Sequence, residues 1–203
     1  MPIITFEGID RSGKSTQIKA VAEALSQEGL PVYVKKFPDY DSPFGKLILA
    51  YLKSEESYSP EELTLMFIAD FARSAPHIKD FSEKGYVLVD RYYMSTMAYQ
   101  GYKGVNFMHI LSIIKDMGIP IADSTYLFNI SPEQSYLRGR EILDRHELDR
   151  DMIQGVSDGY KHLYRNLPFY KVKTLFKEVD ATLDPETITN TIVKSIKQDF
   201  PLN

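Results

Sequence analysis

The stretch Glu7 to Thr16, EGIDRSGKST, follows directly on the apolar run Ile3-Ile4-Thr5-Phe6. Gly8, four intervening residues and then Gly13-Lys14-Ser15 have the spacing of a loop that wraps nucleotide phosphates. Glycines at 8 and 13 let the backbone turn sharply and come close to an anion. The N–H groups of Gly8, Ile9, Asp10, Arg11, Ser12, Gly13, Lys14, Ser15 and Thr16, with the positive end of the helix that follows, then face the phosphates. Lys14 brings a point charge to the β/γ-phosphates, and the Ser15 hydroxyl is a magnesium ligand. The unusual member is Arg11, which adds a second cation beside the transferring phosphate. A glycine turn with an incidental lysine is the bland alternative, but it gives no reason for a strand before the loop and an amphipathic helix after it.

That strand-loop-helix start sets the pattern of the chain. β-branched runs recur at Ile3–Phe6, Val32–Val34, Tyr86–Val89 and Thr125–Ile130, with a weaker fifth at Leu175–Val179. Most are continuously apolar, as strands buried on both faces are. After the loop, Ile18, Val21, Ala22 and Leu25 fall on one helical face, and Gly29 with Pro31 ends that helix. Three later helices start alike, at Ser59-Pro60-Glu61, Ser131-Pro132-Glu133 and Asp184-Pro185-Glu186. In each, a capping side chain precedes a proline whose missing N–H costs nothing at the first helical position. Strands alternating with helices predict an α/β fold: a three-layer, doubly wound sandwich around a five-stranded parallel sheet, of the phosphate-loop NTPase type. Ligands of such sheets gather at the carboxyl ends of the strands.

Composition narrows the partners. The chain has 203 residues, 43% of them apolar, and a formal net charge of −4, which suits one globular domain spanning 1–203. Lys and Arg are scattered, which argues against a nucleic-acid partner. With no cysteine, neither disulfides nor a thiolate metal site can form. Asp10, Arg11 and Lys14 interrupt the first apolar run, so no signal peptide is expected there, and no stretch approaches the ~18 apolar residues of a membrane span. A cytoplasmic protein is the expectation. One segment departs from globular texture: Arg138–Asp151, RGREILDRHELDRD, has four arginines and five acidic residues around His146. It reads either as a solvated helix face with i,i+4 pairs or as a lid whose arginines close over phosphates.

A second site lies in VLVDRYYMSTMAYQG, residues 87–101. Asp90 and Arg91 come directly off a buried strand. An aspartate there orients a magnesium shell, and the planar fork of Arg91 suits bidentate phosphate binding. The alternative is a strand-end ion pair. Two phosphate sites on adjacent strand ends imply a phosphoryl donor and a phosphorylated acceptor.

The runs FEGIDRSGKSTQ, KFPDY, LMFIADFAR, DRYYMSTMAYQG, STYLFNISPE and a late Asp180-Ala181, in that order, resemble thymidylate kinases over nearly the whole chain. DRY with AYQG is the most discriminating part, because generic phosphate-loop proteins lack it. The resemblance implies transfer of the ATP γ-phosphate to dTMP with Mg²⁺, by a homodimer. It implies that Asp10 holds the deoxyribose 3′-hydroxyl and Arg91 the acceptor phosphate. Thr96 and Gln100 would read the thymine edge, Phe67 would stack on the base, Tyr99 would lie against the sugar, and Phe37 would line the pocket. Asp180-Ala181 would pack the adenine. Members carry a catalytic arginine either in the phosphate loop or in the lid. This chain has Arg11 in the loop and Arg138, Arg140 and Arg145 in the lid, so the reading is Arg11 with one lid arginine assisting.

Two positions depart from the family's pattern. An arginine expected in the stretch Phe37-Pro38-Asp39-Tyr40 is missing, and another, four residues after the stacking phenylalanine, is Phe71. Arg73 lies roughly 200° around a regular helix from that position, and substitutes only if Pro76 bends the helix. Both changes remove positive charge from the acceptor side, and so point to a broader range of deoxymonophosphates. Two rival readings remain. A deoxynucleoside kinase would use Glu7 as a general base, and a nucleotide-binding regulatory module would keep Lys14 but have no use for Arg91 and Gln100.

Overall fold

The chain is described here by a computed structural model covering residues 2–138, 146, 149–166 and 172–201. Strands β1 (Ile3–Glu7), β2 (Val32–Lys36), β3 (Tyr86–Asp90), β4 (Ser124–Asn129) and β5 (Leu175–Asp180) form a parallel sheet in the order β2-β3-β1-β4-β5. From β1 the chain thus winds out to one side of the sheet and returns to build the other. Every residue of β1 and β3 is buried. Since alternate residues face opposite sides of a sheet, both faces of these central strands are covered. The expected α/β sandwich is the observed fold, with strand bounds within one or two residues of the sequence reading.

Connecting these strands are α1 (Lys14–Gln27), α2 (Pro43–Leu52), α3 (Pro60–Ser82), α4 (Tyr93–Tyr102), α5 (Phe107–Asp116), α6 (Pro132–Leu137), α7 (Arg150–Asn166) and α8 (Pro185–Asp199). The three Ser/Asp-Pro starts form as expected. Ser59 and Ser131 make reciprocal capping boxes with Glu62 and Gln134, and Asp184 accepts from the Thr187 N–H. Ser42 before Pro43 caps α2 in the same way. Each such cap stabilises its helix by about 1 kcal/mol. Helix α1 is the exception. Its N-cap is Gly13, at φ +94°, with no side chain capping the first turn, so its N–H groups stay open to an anion.

Helix α3 runs from Pro60 to Ser82 through Pro76. Tyr93 to Gln100 of α4 are all buried, with α7 packed across them. The rings of Phe37, Phe71 and Tyr92 meet at centroid distances of 4.8–5.6 Å and form a rigid aromatic wall beside the carboxyl ends of β2 and β3. Among the described residues no helix is long and apolar enough to cross a membrane.

Candidate active site

The phosphate loop joins the end of β1 to α1. Gly8 has φ +142° and Gly13 φ +94°. A Cβ on Gly8 would stand 2.8 Å from the Phe128 carbonyl oxygen, so only glycine lets the loop lie against β4. Lys14 is buried, and its Nζ donates to the Ile9 carbonyl at 2.6 Å and to Ser12 Oγ at 3.1 Å. Burial pushes its ammonium down to about 7, with Arg91 adding to the effect; anionic phosphate beside it would oppose both. Arg11, at φ +57°, is half-buried and shares the lining of a small depression with Ser135, Tyr136 and Ile153. Ser135 Oγ donates to the Asp10 carbonyl at 2.7 Å, so the start of α6 braces the loop.

The exposed Ser15, in the first turn of α1, donates from Oγ to Asp90 Oδ2 at 2.7 Å. The two residues read as metal ligands are therefore together. Their hard oxygens, one hydroxyl and one carboxylate, suit Mg²⁺, which keeps waters and binds substrate phosphates besides one or two protein ligands. Thr16 follows, exposed, at the third position of α1.

Next to Asp90, Arg91 takes a left-handed backbone, φ +62°. Its guanidinium pairs with Asp10, donates to the Gly8 carbonyl at 3.0 Å and to Ser95 Oγ at 3.3 Å, and lies 5.5 Å over the Tyr99 ring. The Tyr99 hydroxyl donates to Asp10 Oδ2 at 2.8 Å. Burial pushes the Asp10 carboxyl up, but Arg91, Lys14 and Tyr99 outweigh it and hold it at about 2. Asp10 is thus ionised, and together with Arg91 and Tyr99 forms a charged end wall.

That wall closes a cavity at the carboxyl ends of β1 and β3. It is lined by Phe37, Pro38, Tyr40, Leu52, Phe67, Phe71 and Tyr92, and by Ser95, Thr96, Tyr99 and His146. Phe37, Phe67, Thr96 and Tyr99, to which the family resemblance gives roles toward the acceptor, thus line one cavity. Phe67 is only partly buried. Gln100, expected beside Thr96, is not in the wall. One helical turn further on, it is fully buried, and among the described residues neither atom of its amide has a hydrogen-bond partner.

Arg73 does not reach the cavity. It is exposed, because α3 continues through Pro76 and keeps Arg73 on another face from Phe71, the residue that enters the wall. Asp39 also stays out of the cavity. Its carboxylate pairs with Lys35 at 2.5 Å, and the Lys35 hydrogen bond holds its pKa down. Its N–H donates to Asp70 Oδ2 at 2.8 Å while Ser42 Oγ donates to Asp70 Oδ1 at 2.5 Å, so buried Asp70 fixes the turn that presents Phe37 to Tyr40.

On the opposite side of the phosphate loop, Arg138 at the end of α6 donates to the Ala181 carbonyl at 2.6 Å and to the Ser12 carbonyl at 3.4 Å. Asp180 is exposed, bonded to the Thr182 N–H and hydroxyl, and Ala181 is buried. Arg138 and the Asp180-Ala181 turn therefore meet at the loop's outer edge, where a shallow cleft opens past Asn129, Ser131 and Gln134. Arg140 and Arg145 lie outside the described residues. Of the expected lid at about 138–151, the described part includes His146, which sequence reasoning mentioned but gave no role. It is 6% exposed, stacked on Tyr99 at 5.3 Å, with Lys103 Nζ 3.3 Å from its Nε2.

Glu7 is not in the cavity. Its fully buried carboxylate accepts from the Tyr92 N–H, the Ser95 hydroxyl and the Tyr160 hydroxyl, which take up the oxygens a base would use. That removes the general base on which the deoxynucleoside kinase reading depended.

A phosphate loop, a hard-oxygen pair and an aromatic-walled cavity ending in an arginine, all at the carboxyl ends of a parallel sheet, define a phosphate-loop nucleotide kinase. Residues 6–192 match the family model for thymidylate kinase. The chain is 32% identical to the thymidylate kinase of Plasmodium falciparum, over 95% of its own length and 88% of that protein's. It is also 32% identical to a probable thymidylate kinase of Thermococcus kodakarensis, over 96% of both. A solved thymidylate kinase from Candida albicans, described as revealing the origin of broad substrate specificity and a novel structural element, superposes with a TM-score of 0.78. It is 26% identical, over 98% of this chain and 92% of that one. The chain belongs to the thymidylate kinase family, ATP-dependent kinases whose function is the phosphorylation of dTMP to dTDP.

Proposed function

We propose that this chain transfers the γ-phosphate of ATP to dTMP, giving dTDP and ADP, with Mg²⁺ held by Ser15 and Asp90. The observation that carries the reading is that Asp90 and Arg91 are consecutive. Asp90 is bonded to the phosphate-loop serine while Arg91 ends the aromatic cavity, so donor and acceptor phosphates would meet at one strand end. The acceptor phosphate is already an anionic nucleophile and needs no general base; rate comes from positioning and charge stabilisation. Lys14, Arg11 and Arg138 supply cations to the donor phosphates. Mg²⁺, when bound, neutralises phosphate charge. Arg91 grips the acceptor phosphate, Asp10 with Tyr99 receives the sugar, Phe67 stacks on the base, and Thr96 reads its edge.

A broader acceptor range is the second reading, supported by Phe71 standing in the cavity wall. The family resemblance further supports a homodimer of single-domain subunits in the cytoplasm. The test is product formation from ATP and Mg²⁺ with dTMP or thymidine as acceptor. dTDP from dTMP, and no product from thymidine, is expected. Phosphorylation of thymidine but not dTMP would overturn the reading.

A further inference from the structure

We propose that Glu7 is a positioning residue for the acceptor arginine: it holds Arg91 in place through Tyr92 and Ser95 without touching substrate. The inference rests on the reading of Arg91 as the acceptor-phosphate ligand.

Glu7 ends β1 and is completely buried. A buried carboxylate is expensive unless its oxygens are well satisfied, and here every donor comes from around the active site. Oε1 accepts from the Tyr92 N–H at 2.9 Å. Oε2 accepts from Ser95 Oγ at 2.5 Å and from the Tyr160 hydroxyl at 3.2 Å. The first bond fixes the peptide directly after Arg91, whose left-handed φ of +62° is one that side-chain-bearing residues avoid. The Arg91 N–H, on the other side, donates to the Phe6 carbonyl at 3.1 Å. The unusual turn is thus clamped at both ends by consecutive residues of β1. The second bond orients the Ser95 hydroxyl: its hydrogen goes to Glu7, and its oxygen, 2.7 Å from the Tyr160 hydroxyl, also accepts from Arg91 at 3.3 Å. One carboxylate therefore sets both the backbone and the head group of Arg91.

The groups facing Glu7 are Lys14 from the phosphate loop, Arg91, Tyr92, Tyr93 and Ser95 from the β3–α4 corner, and Tyr160 from α7. Burial pushes its carboxyl up to about 7, although Ser95, Arg91, the Tyr92 N–H and Lys14 all favour the ionised form. Protonation puts a hydrogen on an oxygen that must accept, so the clamp is complete only above that pH.

Glu7→Gln keeps the shape and one accepting oxygen. If that oxygen stays on the Tyr92 N–H, the amide NH₂ points at Ser95 and competes with Arg91 for its oxygen. The experiment measures steady-state kinetics for Glu7→Gln, Ser95→Ala, the double variant and Arg91→Ala, with kcat/KM for dTMP followed from pH 5.5 to 8.5. Glu7→Gln should raise KM for dTMP about tenfold, the loss expected of one hydrogen bond to a charged group, with kcat and KM for ATP within about twofold. Ser95→Ala should raise the same KM less, and the double variant should be no worse than Glu7→Gln, because both act through one chain of bonds. The wild-type ionisation near pH 7 should vanish in Glu7→Gln, leaving that of the substrate phosphate near pH 6. If Glu7→Gln does not fold, Ser95→Ala decides alone. An unchanged KM and pH profile in Glu7→Gln, or in Ser95→Ala an unchanged KM, overturns the inference, as does an equal rise in KM for ATP and dTMP. An unchanged KM in Arg91→Ala would instead overturn the acceptor reading beneath it.

Discussion

Ser15 Oγ donates to Asp90 Oδ2 at 2.7 Å, joining the first turn of α1 to the last residue of β3. The two residues are 75 positions apart in the chain, yet the parallel pairing of β1 with β3 makes them neighbours. Asp90→Asn keeps the volume and a weaker acceptor but removes the charge that suits a divalent cation. Loss of such a group typically costs 10–100-fold in metal affinity or activity. Titration of activity against Mg²⁺ should show a higher half-saturating concentration, on the order of tenfold, with the fold intact by circular dichroism. An unchanged Mg²⁺ curve would remove Asp90 from the metal site.

In the proposed reading the cations divide the donor phosphates between them. Lys14 is anchored to its own loop through Ile9 and Ser12, so Lys14→Ala is expected to leave folding nearly unaffected and lower kcat by roughly 10²–10³. Arg11→Gly should lower kcat by on the order of 10³, as loss of a phosphoryl-stabilising arginine does. Arg138→Ala should cost less, since Arg138 bonds carbonyls of the loop and of the Asp180-Ala181 turn and so acts through donor placement. Single-turnover rates at saturating ATP separate these effects. A mild Arg11→Gly beside a nearly inactive Arg138→Ala would reverse the assignment.

Stability should depend on pH with opposite signs at two carboxylates. Asp10 is held at about 2 against an ordinary 3.8, so its contribution is present above pH 3.8 and is lost as pH falls toward 2. Glu7 is raised from 4.5 to about 7. The folded state therefore binds more protons than the unfolded chain between those values, and the Glu7 contribution is full below pH 4.5 and lost as pH rises through 7. A shift of that size is worth about 3 kcal/mol at most. Urea unfolding at pH 5 and pH 8 should show the wild type losing stability relative to Glu7→Gln across that interval. Parallel pH curves for the two proteins would contradict the raised carboxyl.

Much of this was legible before any coordinates. The glycine spacing from 8 to 13, the apolar runs and the Ser/Asp-Pro starts are local signals, and each reports one element. Asp90 and Arg91 were legible because they follow an apolar run that could only be a buried strand. Other features depend on tertiary packing. Phe71 and Arg73 are two residues apart, and which one enters the cavity depends on whether α3 bends at Pro76, which propensity cannot decide. Gln100 shares a helical face with Thr96, but α4 is buried on every side, so the polar pattern could not tell wall from interior. His146 stood in a run of charges that reads as solvated surface, and only its stacking on Tyr99 reveals it as cavity wall. Glu7 looked like a base at a strand end. Its three donors come from residues 85 to 153 positions away, and no local pattern carries that.

The acceptor cavity leads to the last prediction. Among its lining residues Arg91 and His146 are the ones that can carry positive charge, and Phe71 occupies the place where the family pattern has an arginine. The acceptor phosphate should therefore rest mainly on Arg91, and one charge-assisted hydrogen bond is worth about 1.5–3 kcal/mol. Arg91→Ala should raise KM for dTMP roughly ten- to a hundredfold. In the proposed acceptor pose the base would meet Phe67, Phe71 and Thr96, and so would find rings and one hydroxyl where an arginine would bond its edge. Stacking tolerates any base because every base has a π-face, whereas hydrogen-bonded edges reject analogues strongly. The expectation is that dTMP is phosphorylated but dUMP, and to a lesser degree dGMP, compete better than in an enzyme with arginine at this position. Phe71→Arg should sharpen the preference for dTMP, with the added guanidinium reaching the base edge from α3. Initial rates with dTMP, dUMP, dCMP and dGMP in wild type, Phe71→Arg and Arg91→Ala make the comparison. Tight dTMP selectivity in the wild type, unchanged by Phe71→Arg, would mean that the base is read elsewhere, with the unpartnered amide of Gln100 the first residue to substitute.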